Sequence, residues 1–202
     1  MAPTLIGNTS QRVHYGISDN HESALKNLNR FDVVITYYPS SWNISEEDET
    51  YKIKRVWGFP GESLSLTENS SKGTYTFTAS KEGKETFSIV GNIVHKEFEF
   101  YGELTTVQFV YLNKTFYTRV GNAREITTHR SLNQYSLNED KKEYFLMGDN
   151  WTNSNDSYLK RNEAEKIKFT DLQGRVVAIQ GTAKLVNNEL TDIDTKGAKS
   201  NF

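Results

Sequence analysis

Apolar and polar residues alternate with period two in many parts of the chain, which is the pattern of β-strands with one buried face. Residues 74–78 and 96–100 show it clearly, because each has aromatic side chains two residues apart. Residues 106–120 predict a hairpin that turns at Asn113 and Lys114, and residues 175–179 predict a short, almost continuously apolar strand. The eleven tyrosines and eleven phenylalanines agree with this, since aromatic side chains suit the pleated surface of a sheet.

Helical periodicity is weak by comparison. Residues 19–28 predict one short helix, with Asp19 as its N-cap and Glu22 three residues later completing a capping box. Residues 161–168 predict one or two further helical turns. The predicted fold class is therefore mostly β.

Residues with special chemistry are concentrated in two segments, 51–64 and 144–158. The residues between these segments alternate like strands and carry no chemical motif. This layout predicts one core formed by residues 1–62 and 143–202, in which the two segments meet in space. Residues 63–142 are predicted to form an inserted accessory β-subdomain.

The composition argues against several classes of function. Lys and Arg number 24 against 26 Asp and Glu, a formal net charge of −2, whereas nucleic-acid-binding domains show a basic excess or stripe. The chain has no cysteine, which removes disulfides, thiolate catalysis and cysteine-rich zinc sites together. No apolar run approaches the roughly 18 residues of a membrane-spanning helix.

Lys54 is the first candidate for chemistry, and it has two interpretations. It shares a strand face with Lys52, and two lysines on one face usually indicate exposure to solvent. Its apolar neighbours Ile53, Val56 and Trp57 could instead bury the amine, which would lower its pKa and leave it neutral.

A dense polar run, residues 148–157, follows the predicted strand that ends at Met147. Gly, Asn, Asp and Ser are ordinary turn residues, so a structural loop explains the run. A calcium-binding loop is the alternative, although the spacing does not match the twelve-residue loop of an EF-hand. The four histidines show no metal-ligand spacing, and no metal or cofactor is expected.

Four motifs occur along the chain in the order of a known family. They are MAPTL at residues 1–5, FDVVI at 31–35, IKRVWGFPGE at 53–62 and MGDNWTNSNDS at 147–157. Together they resemble the bacterial type I signal peptidases, the Ser–Lys leader peptidases, in the single-anchor form typical of Gram-positive bacteria. The resemblance implies a mostly-β fold with a signal-peptidase-like catalytic β-barrel core.

The resemblance implies a serine endopeptidase that removes signal peptides from exported preproteins, cutting after a small residue. A neutral lysine deprotonates the serine, and the motif assigns that general base to Lys54. Ser154 matches the serine that orients the lysine. The substrate would bind in an extended form along an exposed strand edge.

Further positions match residues that support the family's site. Arg55, Asp149 and Asp156 match its polar network, in which buried charges need one another as partners. Met1, Leu5 and Ile53 match positions near the pocket for the small residue before the cleaved bond.

The chain also departs from the family pattern. The family's nucleophile immediately precedes the Met of the first motif, so we expect the serine to be absent from these 202 residues and the polypeptide to be inert. Trp151 stands where the family usually has an arginine. Tyr158 replaces the arginine that ends the last motif, so we expect Asp156 to lose its customary partner.

The implied partners are exported preproteins, and the implied location is the cell membrane. A single N-terminal anchor, missing from this chain, would hold the catalytic domain on the extracytoplasmic side. The altered last motif resembles variants associated with pilus assembly, whose substrates are pilin precursors. Two alternatives stay open: a non-catalytic homologue that binds pilins and assists assembly, and a β-rich binding module whose motifs are coincidental turns.

Overall fold

A computed structural model describes residues 12–42, 51–100, 103–118, 129–152, 154–186, 189–195 and 199–200. Most of these residues are in strands, which confirms the prediction of a mostly-β chain. The strands, in chain order, are β1 (Arg12–Asp19), β2 (Val33–Thr36), β3 (Lys52–Gly58), β4 (Glu62–Asn69), β5 (Thr74–Lys81), β6 (Lys84–Phe100), β7 (Glu103–Leu112), β8 (Thr115–Thr118), β9 (Leu132–Ser136), β10 (Glu143–Met147), β11 (Ile167–Lys168), β12 (Leu172–Val186), β13 (Glu189–Asp194) and β14 (Lys199–Ser200).

Eight strands form the first antiparallel sheet, in the order β1-β12-β2-β3-β10-β11, with β13 and β14 also paired to β12. Strand β3 lies between β2 and β10, so that Val34 is opposite Lys54 and Met147 is opposite Arg55. All five residues of β10 are buried, as expected for a strand covered on both faces. This pairing brings the motif at residues 53–62 beside the motif that begins at Met147.

The other six strands form a second antiparallel sheet, in the order β8-β7-β6-β5-β4-β9. The predicted hairpin is confirmed as β7 and β8, which turn at Asn113 and Lys114. Both turn residues have positive φ angles, 48° and 59°, as a two-residue turn of type I′ requires. The strands of this sheet fall between Glu62 and Ser136, and the division of the chain into a core and an inserted unit stays a prediction.

The two sheets share an aromatic core centred on Trp57 of β3. Its ring lies edge-on to Phe31 and to Phe77 of β5, with centroid distances of 5.1 and 5.0 Å. Tyr117 of β8 and Trp151, just after β10, pack against the same ring. The described strands pair into two sheets, and their pairings do not close either sheet into the β-barrel that the resemblance implies.

The helical predictions are partly wrong. A short helix, α1 (Glu22–Lys26), lies within residues 19–28, but its N-cap is His21 and that residue makes no side-chain cap. Asp19 instead accepts a hydrogen bond from the backbone N–H of His21, two residues ahead, which is a turn rather than a capping box.

The helical turns predicted for residues 161–168 are not formed. The ammonium group of Lys166 donates to the carbonyl oxygens of Arg161 and Glu163. Those carbonyl oxygens would otherwise accept the hydrogen bonds of a helix. The segment ends in strand β11, which pairs with β10.

Candidate active site

Lys54 points toward the ring of Tyr38, a residue that the sequence analysis did not single out. The Lys54 Nζ atom lies 5.7 Å from the centre of this ring, and the Lys52 Nζ atom lies 5.8 Å from it. The recorded hydrogen bond of Lys54 Nζ is a long one, 3.4 Å, to the carbonyl oxygen of Ile53. Ile53 is 39% exposed, whereas Val56 and Trp57 are completely buried.

Burial is the main cause that lowers the pKa of Lys54 below its ordinary value. The nearby carboxylates Asp156 and Asp149 act in the opposite direction, and the cations Lys52 and Arg130 act in the same direction as burial. The amine is therefore easier to deprotonate than that of an ordinary lysine, and the neutral form is the one that a general base requires.

Tyr38 is held in place at both ends. Its hydroxyl donates a hydrogen bond to the carbonyl oxygen of Asn155, in the loop after β10, and its ring packs against Trp42. Burial, with a smaller contribution from Asp156, raises the pKa of Tyr38, so this hydroxyl stays protonated and continues to donate. Tyr38 therefore links the segment after β2 to the loop that carries Ser154.

Arg55 and Asp149 form a buried, doubly hydrogen-bonded ion pair. Arg55 Nε donates to Asp149 Oδ1 at 3.0 Å, and Nη2 donates to Oδ2 at 2.9 Å. The third guanidinium nitrogen, Nη1, donates to the carbonyl oxygen of Phe31 at 2.7 Å. Burial alone would lower the pKa of Arg55, but its bonds to Asp149 raise it above the ordinary value. The pair fastens β3 to the loop after β10 and to the residues that precede β2.

Asp156 lacks the arginine of the last motif, as expected, but another arginine from outside that motif takes its place. Arg130 Nη1 donates to both carboxylate oxygens of Asp156, at 2.9 and 2.8 Å. Asp156 also accepts hydrogen bonds from the backbone N–H groups of Gly148 and Tyr158, at 3.0 and 3.1 Å. Arg130 lies just before β9, outside every motif quoted above. The only sign of it in the sequence is that a buried carboxylate requires a countercharge.

Ser154 is 8% exposed, and its Oγ atom has no hydrogen-bond partner. It packs directly against Gly148, where a Cβ atom would collide with Ser154 Oγ, so only glycine leaves room for the serine. A hydrogen bond between Ser154 Oγ and Lys54 Nζ is not recorded, and the orienting role of Ser154 stays a prediction.

The calcium alternative for residues 148–157 is disfavoured, because Asp149 and Asp156 are both engaged by guanidinium groups. Within the described ranges no group of three His, Asp or Glu side chains could hold a metal ion. Met1 and Leu5 of the predicted substrate pocket lie outside the described residues.

Comparisons with known proteins place the chain in a family. None of the curated proteins compared with the chain matches it significantly. Among the helices that the structure describes, none is long and apolar enough to cross a membrane. The sequence pattern described as signal peptidase, peptidase S26, matches residues 1–180, which include all four motifs. This family comprises membrane-associated hydrolases whose substrates carry signal peptides. With nearly the whole chain matched, this protein belongs to the signal peptidase family, peptidase S26.

Proposed function

We propose that this chain is the catalytic part of a serine endopeptidase that removes signal peptides from exported precursor proteins. Lys54 is its general base, and the nucleophile is a serine that immediately precedes Met1 in the full-length protein. The observation that carries the proposal is the placement of Lys54, with its pKa lowered by burial, beside Tyr38 and the loop of Ser154. An N-terminal anchor would hold this part at the outer side of the membrane.

In the first step, neutral Lys54 accepts the proton of the serine hydroxyl while the serine oxygen attacks the carbonyl carbon of the scissile bond. The resulting ammonium group then protonates the leaving amine, so the C–N bond breaks and an acyl-enzyme remains. Lys54, neutral again, removes a proton from water, which attacks the ester. The ester C–O bond then breaks, and Lys54 returns the proton to the serine oxygen as the acyl product leaves. Because the base must be unprotonated, activity rises with pH through the pKa of Lys54.

The remaining site residues have supporting roles in this proposal. Ser154 Oγ, which has no other partner, is available to bond and orient the amine of Lys54. The Arg55–Asp149 pair keeps β3 and the loop after β10 in register. Met1, Leu5 and Ile53 are proposed to lie near the pocket for the small residue before the cleaved bond.

The test is a cleavage assay on the full-length protein, followed by mass spectrometry of the products. The substrates are an ordinary signal-bearing preprotein and a pilin precursor. We expect cleavage after a small residue and a loss of at least about 100-fold in Lys54→Ala, the contribution typical of a general base. Lys52→Ala is the matched control, because Lys52 lies on the same strand face and near the same ring. Removing this cation moves the acidic limb of the pH profile, since Lys52 helps to lower the Lys54 pKa, but activity on the plateau above that limb should be retained.

One outcome would replace the proposal with its alternative. If neither substrate is cleaved while the precursor still binds, and Lys54→Ala binds it equally well, the protein is a non-catalytic homologue that assists pilus assembly. Cleavage of the pilin precursor in preference to the ordinary preprotein would instead identify a peptidase dedicated to pilins.

A further inference from the structure

Arg130 is a completely buried cation whose position no motif accounts for. Its side chain is 0% exposed, as is that of Asp156, to which it is bonded. Arg130 Nη2 also donates to the carbonyl oxygen of Trp151 at 3.2 Å. Burying a guanidinium is costly unless it is paired, and the Asp156 carboxylate is the countercharge that Arg130 is paired with.

Two aromatic rings enclose the guanidinium, and both stand where the family usually has arginine. The Arg130 Cζ atom lies 5.6 Å from the centre of the Trp151 ring and 4.8 Å from that of Tyr158, within the range of cation–π contact. The Tyr158 hydroxyl accepts a hydrogen bond from the N–H of Ser131 at 3.2 Å and donates to the carbonyl oxygen of His129 at 3.3 Å. Tyr158 therefore holds the backbone on both sides of Arg130.

A continuous chain of contacts leads from Arg130 to the site. Arg130 bonds to Asp156, Asp156 accepts the N–H of Gly148, and Gly148 is the residue against which Ser154 Oγ packs. A displacement of the Asp156 carboxylate would therefore move the backbone that positions Ser154.

Arg130 also balances the charge near Lys54. The groups around the amine are Lys52 on its own strand, Asp149 and Asp156 in the loop after β10, the Tyr38 hydroxyl after β2, and Arg130 before β9. Asp156 raises the pKa of Lys54 and Arg130 lowers it. Without Arg130, the Asp156 carboxylate would be unbalanced and would favour the ammonium form of Lys54.

We propose that Arg130 is a positioning residue of this active site: enclosed by Trp151 and Tyr158, it holds and neutralises Asp156 and so keeps Lys54 available as the base. Arg130, from the segment between β8 and β9, thus pairs with Asp156 in place of an arginine within the last motif. The inference rests on the proposed peptidase function, since it assigns a second layer of that same site.

The test is the pH dependence of kcat/KM for cleavage of a signal-bearing precursor by the full-length protein and Arg130→Met. We expect the acidic limb of the profile to move to higher pH in Arg130→Met, with a loss of kcat/KM at every pH on that limb. Arg161→Met is the matched control. It removes the same charge beside the same Tyr158 ring, 4.5 Å from its centre, but Arg161 donates to the carbonyl oxygen of Tyr158 and not to Asp156.

Failure of the inference differs from failure of the proposed function. If the wild-type protein cleaves no precursor, the peptidase assignment itself is wrong. If the wild type cleaves and folded Arg130→Met keeps the wild-type limb, or shifts it no more than Arg161→Met does, Arg130 is only structural.

Where Arg130→Met does not fold, a second comparison starts from Asp156→Asn. This substitution removes the carboxylate, so Arg130→Met can be added without leaving a buried carboxylate unpaired. In Asp156→Asn the unbalanced guanidinium should move the acidic limb to lower pH. Adding Arg130→Met to that variant should move the limb back up. Coincident limbs for the single and double variants would overturn the proposal.

Discussion

At the scale of single residues, Ser154 is one of five described residues with a buried side-chain polar atom that lacks a hydrogen-bond partner; the others are Trp57, Tyr117, Arg130 and Trp151. A buried hydroxyl without a partner costs about 1–3 kcal/mol, so a folded chain gains nothing from keeping one for its own sake. Its Oγ atom lies beside Gly148, in a space that no other residue at position 148 would leave open. This combination favours a functional role for Ser154.

We predict that Ser154→Ala lowers kcat by roughly 10- to 100-fold, as expected when a base loses its orientation. Because the Oγ atom makes no hydrogen bond in the folded chain, the melting temperature should stay the same or rise. Both quantities are measured on the same preparation, kcat by precursor cleavage and Tm by calorimetry. A fall in Tm that parallels the loss of activity would reassign Ser154 as a structural residue.

Ser157→Ala is the matched control from the same loop. Ser157 is also buried, but its Oγ atom accepts the N–H of Leu146 at 3.0 Å. Its removal leaves that buried N–H unsatisfied, so the free energy of unfolding should fall by about 1–3 kcal/mol while kcat changes little. The two serines should therefore give opposite patterns.

At the scale of elements, the buried Arg55–Asp149 pair decides how β3 meets the loop after β10. The same guanidinium bonds the carbonyl oxygen of Phe31, whose φ angle of 70° is strained for an aromatic residue. The pair thus joins β3, the loop after β10 and the residues before β2, next to Lys54 in the candidate site.

We predict that Asp149→Asn lowers the free energy of unfolding by about 3–5 kcal/mol, because it leaves a buried guanidinium without its countercharge. The measurement is denaturant unfolding of the chain. Glu139→Gln is the control, since its ion pair with Lys81 is exposed and should contribute no more than about 1 kcal/mol. Equal losses in the two variants would show that the Arg55–Asp149 pair does not lock these elements.

At the scale of the whole molecule, the sequence predicts the strands well and the contacts between distant segments poorly. Alternation of apolar residues is a local property, so β5 and the β7–β8 hairpin are predictable from it. The cover of Lys54 by Tyr38, and the pairing of Asp156 with Arg130, depend on which strands become neighbours. No local pattern contains that information.

The motif resemblance proposes the site residues, and it foresees that Asp156 lacks the arginine of the last motif, but it does not indicate the replacement. The folded chain supplies the countercharge from a distant segment, since Arg130 comes from just before β9. The helical turns expected at 161–168 are not formed, and there the Lys166 side chain bonds the carbonyl oxygens of Arg161 and Glu163.

The measurement that tests the central claim most directly is the titration of Lys54 itself. Lysine labelled with ¹³C at Cε reports its protonation by NMR, and loss of one resonance in Lys54→Arg assigns the signal. Burial disfavours the ammonium form, so we predict that Lys54 titrates below the ordinary value of 10.5. A Lys54 resonance that titrates at or above 10.5 would contradict its role as the general base.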